Sequence, residues 1–204
     1  MYKRQNNYNV EVKFIQKDLS NKQNCINLYN ELKNENIDIL INNAGFGVHG
    51  NFAETDLDKE INMLDTNVMA VHILMKLFLQ DMVKRNSGKI LNVSSMAAFA
   101  PGPLMAGYYS SKAYVYRLSE CVKTELKMAK SNVKISVLCP GPVRTNFNKV
   151  ANVNFAAPSL SSDVVAKYAI KKMLKGKFTI VPGNLMKITR FFEKILPHNW
   201  AVSY

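Results

Sequence analysis

Short apolar runs alternate with longer helix-patterned stretches along this chain, and that alternation restricts the fold more than any other feature. The runs VEVKFI (10–15), IDILIN (37–42), KILNVS (89–94), KISVLC (134–139) and FTIVP (178–182) read as strands. Several are apolar at consecutive positions, as in strands covered on both faces. Stretches near 20–34, 56–84, 108–129 and 161–175 carry helical periodicity, with Ser20, Asp56 and Ser161 as expected N-caps. Such alternation builds right-handed βαβ units, so the expected fold class is α/β, a doubly wound and mainly parallel sheet.

A chain of 204 residues suits one core. With 48% hydrophobic and 21% charged residues it reads as globular. No apolar run approaches the length of a membrane span, and MYKRQNNYNVEV lacks the apolar middle of a signal peptide. Cys25, Cys121 and Cys139 show no metal-type spacing, and His49 and His72 have no ligand-spaced partners. Free thiols, no metal and a reducing cytoplasm are expected. The net charge of +12 invites a nucleic-acid reading. The lysines, however, are spread along the whole chain beside 23 Asn, and KYAIKKMLKGK (167–177) reads as one solvated helix face. No nucleic-acid partner is expected.

Ligands of parallel sheets bind beyond the carboxyl ends of the strands. The strand exits here are NNAGFG, SSMAAFAPGP and PGPVRTNF, three Gly- and Pro-rich loops on one edge. In the first, Gly45, Gly47 and Gly50 stand at G-x-G-x-x-G spacing. A pyrophosphate cradle needs a helix starting at that loop and an acidic residue at a strand end some 20 positions on. The next helix is expected to begin only near Asp56, and the acidic candidate, Asp65, falls within it. Both conditions fail.

Tyr and Lys four residues apart share a helix face, placing an ammonium beside a phenol. A cation there favours phenolate and tunes the group for proton transfer. Three such pairs occur: Tyr29/Lys33, Tyr108/Lys112 and Tyr168/Lys172. Only Tyr108 stands at the head of a helix after a strand-exit loop, with a hydroxyl, Ser95, thirteen residues upstream.

With NNAG (42–45), Asn67 in DTNVMAV, NVSS ending in Ser95, YYSSK with Tyr108 and Lys112, and PGPVRT (140–145), the chain resembles the short-chain dehydrogenases/reductases nearly throughout. The resemblance implies a Rossmann-like domain that interconverts a carbonyl and an alcohol by hydride transfer with NAD or NADP. It implies Tyr108 as acid/base, Ser95 as hydrogen-bond donor to the substrate oxygen, and Lys112 as the residue that lowers the Tyr108 pKa and binds the nicotinamide ribose. Asn67 would hold a relay water. Asn43, Ala44 and Gly45 would pass beside the cofactor, with Gly47 and Gly50 incidental to its phosphates. Asp18 would meet the adenine; Pro140 and Gly141 would line the cofactor, and Val143 and Thr145 would meet the carboxamide. Ser94 and Tyr109 are neighbours that the family spacing passes over. A small carbonyl or alcohol substrate and, for a complete chain, a homo-oligomer are implied.

The family's own glycine loop, T-G-x-x-x-G-x-G, belongs some 70 residues before NNAG by that resemblance, whereas 41 residues precede Asn42 and none is Gly. A single domain truncated at its N-terminal strands is therefore expected, inactive by itself. A non-catalytic binding or dimerisation module is the alternative. Residues 37–42 would show an unpaired apolar edge, which 10–15 could close by pairing parallel to it. In NLMKITRFFEKILPHNW, Leu185, Ile188, Phe191, Phe192, Ile195 and Leu196 form an apolar stripe, with Lys187, Arg190 and Lys194 mostly off it. That helix is expected to pack by its stripe beside the substrate cleft; contact with an anionic membrane surface is the lesser alternative.

Overall fold

The computed structural model describes residues 10–147, 151 and 159–195. In chain order the elements are α1 (Lys22–Leu32), β1 (Ile39–Asn42), α2 (Leu57–Leu64), a π-helical turn (Asp65–Met69), α3 (Ala70–Lys84) and β2 (Lys89–Val93). A 3-10 turn (Met96–Ala98), α4 (Ala106–Met128), β3 (Lys134–Leu138) and the two-residue strands β4 (Val143–Arg144) and β5 (Leu160–Ser161) follow. α5 (Ser162–Leu174), β6 (Thr179–Ile180) and α6 (Asn184–Ile195) complete them. The sheet is parallel, in the order β1-β2-β3-β6; β4 and β5 form a separate parallel pair.

Alternate residues of β2 and β3 face opposite layers. Ile90 and Ile135 pack with Met75 and Met82 of α3 and Leu126 of α4. On the other face Leu91 and Leu138 pack with Val165, Ala169 and Met173 of α5. α1 lies against α3 through Cys25, Leu74 and Phe78. This two-sided cover explains why the β2 and β3 sequences are apolar at consecutive positions.

Asp56 and Ser161 cap α2 and α5 through hydrogen bonds from Lys59 N (2.8 Å) and Val164 N (3.4 Å). α1 is capped by Asn21, not Ser20. Asn21 Oδ1 accepts from Gln23 N at 2.9 Å, while the Ser20 hydroxyl donates back to Asp18 Oδ1 at 2.8 Å. The helix expected over 56–84 is interrupted by the π turn at 65–69.

Residues 10–15 form no strand. Lys13 is paired with Glu35 at 2.9 Å and Lys17 with Glu31 at 3.6 Å, so the segment is tethered along α1 and its exit instead of to β1. Phe14 stays 65% exposed. β1 is the sheet's edge, and Ile39 and Ile41, both on the α5 face, are 41% and 44% exposed, whereas Leu40 packs against the α3 side. α6 does lie beside the strand exits, but by its other face. Met186, Arg190 and Glu193 are turned inward, and the apolar stripe from Leu185 to Ile195 is exposed. Leu196 lies outside the described residues.

A buried polar chain crosses the sheet. Asn42 Nδ2 donates to Asn92 Oδ1 (2.8 Å), Asn92 Nδ2 to Ser119 Oγ (2.8 Å), and Ser119 Oγ to Val115 O (2.7 Å). Asn92→Ala removes the acceptor of the Asn42 amide and the donor to Ser119. It is expected to lower the unfolding free energy by about 1–3 kcal/mol, read as a lower urea midpoint at unchanged slope; an unchanged midpoint would show that the chain is dispensable.

Candidate active site

The exits of β1, β2 and β3 meet at the carboxyl edge of the sheet. Hydrogen bonds from Ser94 N to Leu138 O (2.8 Å) and from Met96 N to Pro140 O (3.0 Å) hold the second and third exits together past the ends of their strands. Gly50 N donates to Leu104 O (2.8 Å), joining the first exit to the 99–105 loop. Leu104 itself sits at φ 62°, a strained conformation for a side chain of that size.

Ser95 caps the 3-10 turn. Its hydroxyl accepts from Ala97 N (3.2 Å) and lies 3.5 Å from Pro140 O. Ser94 turns its hydroxyl to Lys112 O (2.8 Å) and so anchors α4. Tyr108 is the third residue of α4, with its ring against Phe147 at 5.2 Å between centroids and edge-on to Tyr109. Burial pushes the Tyr108 phenol above its ordinary pKa, and the neighbouring Ser95 hydroxyl opposes that shift. The Lys112 ammonium lies over the Tyr108 ring, 5.7 Å from its centre, and donates to Val93 O at 3.1 Å. Desolvation pulls its pKa down to about 8.

Asn67 is fully buried. Its Oδ1 accepts from Phe46 N (3.1 Å), and its Nδ2 donates to Phe46 O (2.9 Å) and to Ser111 Oγ (3.1 Å). Ser111 Oγ donates in turn to Tyr108 O (2.7 Å). A Cβ on Gly45 would stand 2.7 Å from Asn67 Oδ1 and 3.2 Å from Lys112 Nζ. Gly45 is thus where strand exit, helix and ammonium approach most closely.

One cavity of about 850 Å³ gathers most of these groups. Asn43, Gly45, Ser95, Tyr108 and Lys112 line it, and so do Pro140, Gly141, Val143 and Thr145 from the β3 exit. Ala44 and Asn67 lie off its wall. Asp18 does not line it; it is exposed before α1, with its carboxylate held below the usual range by the hydroxyl and amide of Ser20. The apolar part of the wall went unread in the sequence: Phe46, Met96, Met105, Phe147 and Met186. The signal available was the recurrence of aromatic and Met residues just past strand exits. Gly47 also has a local task, since a Cβ there would meet Met105 Cε at 2.9 Å and Phe147 Cζ at 3.0 Å beside the Tyr108 ring.

The family model of the short chain dehydrogenases matches residues 1–156. The chain belongs to this family. Among curated relatives it is 33% identical over 163 residues to the ketoacyl reductase HetN of a Nostoc species, covering 78% of this chain and 56% of that protein. The chain spans less than two thirds of such curated relatives, 56% of HetN and 61% of the rat 17-beta-hydroxysteroid dehydrogenase 13. Its fold is similar to a short-chain dehydrogenase from Sphingobium yanoikuyae in complex with NADPH, with a TM-score of 0.83 at 21% identity, over 96% of this chain and 80% of that one. It is also similar to a short-chain dehydrogenase/reductase from Burkholderia phymatum in complex with NAD, with a TM-score of 0.81 at 24% identity, over 95% and 80% of the two chains. The Rossmann-like α/β architecture of the family is therefore that of this chain.

The Lys112 shift makes stability depend on pH. Between about 8 and the ordinary value of 10.5 the unfolded chain binds the proton that the folded chain has released, so stability rises with pH. Cys139, pushed by burial up to about 12 from 9.0, works in the opposite direction as pH rises past 9. From pH 8 to 9 the native protein is expected to gain about 1 kcal/mol relative to Lys112→Met. Parallel urea titrations of the two proteins read this; identical pH dependence would show that the ammonium is not desolvated.

Proposed function

We propose that the site interconverts a carbonyl and an alcohol with NAD or NADP, and that Tyr108 is the acid/base. The observation that carries this reading is the convergence on one cavity of Tyr108, the Ser95 hydroxyl and the buried Lys112 ammonium. The family's relatives and the NADPH and NAD complexes of similar fold support it.

The residues present fit a nicotinamide riboside. Lys112 is 5% exposed and lines the cavity, yet its ammonium makes a single hydrogen bond among the described residues, to Val93 O. Its remaining N–H groups match ribose hydroxyls. Val143 and Thr145 offer backbone and hydroxyl groups to a carboxamide, and Asn43, Gly45, Pro140 and Gly141 form the flanking wall. The bound cofactor supplies or accepts the hydride.

In the reducing direction Ser95 donates to the substrate oxygen, and Tyr108 passes its phenolic proton to that oxygen as negative charge develops. Burial favours the protonated phenol, the form that can donate, and makes its proton harder to release. The Lys112 ammonium stabilises the phenolate left behind. Asn67 acts as a positioning residue: through Phe46 and Ser111 it fixes the β1 exit and the first turn of α4. Asp18 would reach only the adenine end.

Two experiments test this reading. In a chain supplemented with the family's N-terminal glycine-loop unit, Tyr108→Phe is expected to lower kcat for ketone reduction by about 10²–10⁴-fold while cofactor binding holds. Near-full activity of that variant would assign the proton to another group. Residues 1–204 alone are expected to bind NADPH and NADH weakly, to reduce no ketone and to aggregate. The grounds are a β1 edge unpaired among the described residues, exposed Ile39 and Ile41, and no glycine before Gly45. Micromolar affinity in a calorimetric titration would contradict this.

A further inference from the structure

α6 is inverted with respect to the protein that carries it. Its inner face is polar. The Arg190 guanidinium stacks 3.6 Å from the centre of the Phe99 ring and pairs with Glu193 at 3.8 Å, both side chains being under 20% exposed. Met186 adds an apolar contact on that face, filling the space that a Cβ on Gly141 would need. The outer face carries Leu185, Ile188, Phe191, Phe192 and Ile195, each between 52% and 61% exposed. A helix whose only partner is its own domain buries the apolar stripe and turns its charges outward. Five large apolar side chains in one outward patch mark an interaction surface.

The surroundings of the patch indicate its partner. α5 runs beside α6, and the Tyr168 ring has both Lys172 Nζ of α5 and Lys187 Nζ of α6 at 5.5 Å. Lys171, Lys172 and Lys175 recur at i+3, i+4 and i+7 from Tyr168 and share its face. On α6 the one carboxylate, Glu193, is turned inward to Arg190, and among the described residues these lysines have no ion-pair partner. A second copy docked by the same patch about a two-fold axis would bring a like-charged lysine rim against this one. An anionic lipid surface takes both components: acyl chains accept the stripe and phosphates accept the lysines.

We propose that α6, with the lysines of α5 beside it, seats the protein on an anionic membrane surface. With 12 residues α6 is too short to span a bilayer, and it lies in the plane of the interface. Its inner face supplies Met186 to the cavity wall, so docking would bring the site's mouth next to the lipid. This inference stands independently of the proposed reaction.

Vesicle flotation tests it on residues 1–204, because aggregates sink while vesicles rise. The chain is expected to float with phosphatidylcholine vesicles containing phosphatidylglycerol. It should do so far less with phosphatidylcholine alone or in about 1 M salt, where the Debye length is about 3 Å. Lys172→Gln/Lys175→Gln/Lys187→Gln should weaken partitioning about a hundredfold, and Phe191→Ser/Phe192→Ser should abolish it with the circular dichroism unchanged. Leu57→Ser, which removes an exposed leucine on α2, should leave flotation as it was and so exclude general stickiness. Failure to float with the anionic vesicles, or flotation indifferent to lipid charge and to both α6-side variants, would overturn the proposal. A dimer in light scattering that Phe191→Ser/Phe192→Ser dissociates, without vesicle binding, would give the stripe to a second copy and overturn it equally.

Discussion

The carboxamide of Asn67 fixes the relative placement of everything at the strand exits. It forms a two-membered hydrogen-bond pair with the backbone of Phe46 and a third bond to Ser111, whose hydroxyl holds the carbonyl of Tyr108. Three segments distant in sequence are thereby tied at one buried point. The π turn at Asp65–Met69 widens the helix just there, the kind of local distortion that α-helices show at functional sites. Gly45 is the complement of this arrangement: with Asn67 Oδ1 2.7 Å from where a Cβ would be, a side chain at that position would separate the strand exit from the helix. The glycine is needed for a close approach between protein segments, a different demand from the one made by a phosphate.

The electrostatics of the cavity follow from how little polar compensation it contains. Lys112 is buried with no carboxylate among the causes of its shift, so desolvation dominates and its pKa falls to about 8. Tyr108 is driven the other way by the same cause. The i, i+4 spacing does place ammonium and phenol together, but it places the ammonium over the ring, with its hydrogen bond spent on Val93 O. Burial of the phenol outweighs whatever the cation contributes. A neutral phenol and a lysine ammonium thus share one wall of the cavity, each shifted toward its uncharged form by the same burial.

Local chemistry made much of this legible in the sequence. β2 and β3 were readable because both their faces are covered, and the head of α4 because Tyr108 follows a Gly- and Pro-rich exit. Asp56 and Ser161 act as caps as their types suggest. Ser20 does not, because Asp18 competes for its hydroxyl and leaves the cap to Asn21. The π turn left no mark on the apolar periodicity, which runs through DTNVM from α2 into α3. β4 and β5 are two residues each, too short for any periodicity. For α6, periodicity located the stripe and could not say which way it faces. That is decided by Arg190 stacking on Phe99 from another part of the chain.

The segments 10–15 and 37–42 show what an apolar run does and does not determine. Both have strand-like composition. A strand exists only where its backbone finds a ladder, and Ile39–Asn42 finds one in perfect parallel register with Lys89–Asn92. Residues 10–15 have in its place one ion pair, from Lys13 to Glu35 just past α1, with Lys17 beyond them paired to Glu31 of α1. Consecutive apolar residues also presuppose two covering layers. β1 has one, through Leu40, and its other face opens into the cavity past Ile41. The cavity thus continues from the Tyr108 hydroxyl over an uncovered face of the sheet, and the exposed isoleucines there are the continuation of the site's own apolar wall. Occupation of that face by any apolar cover would bury Ile39 and Ile41, add the missing layer to β1, and stiffen the strand whose exit carries Asn43, Gly45 and Phe46. Stability at the sheet edge and geometry at the site are therefore coupled through a single strand of four residues.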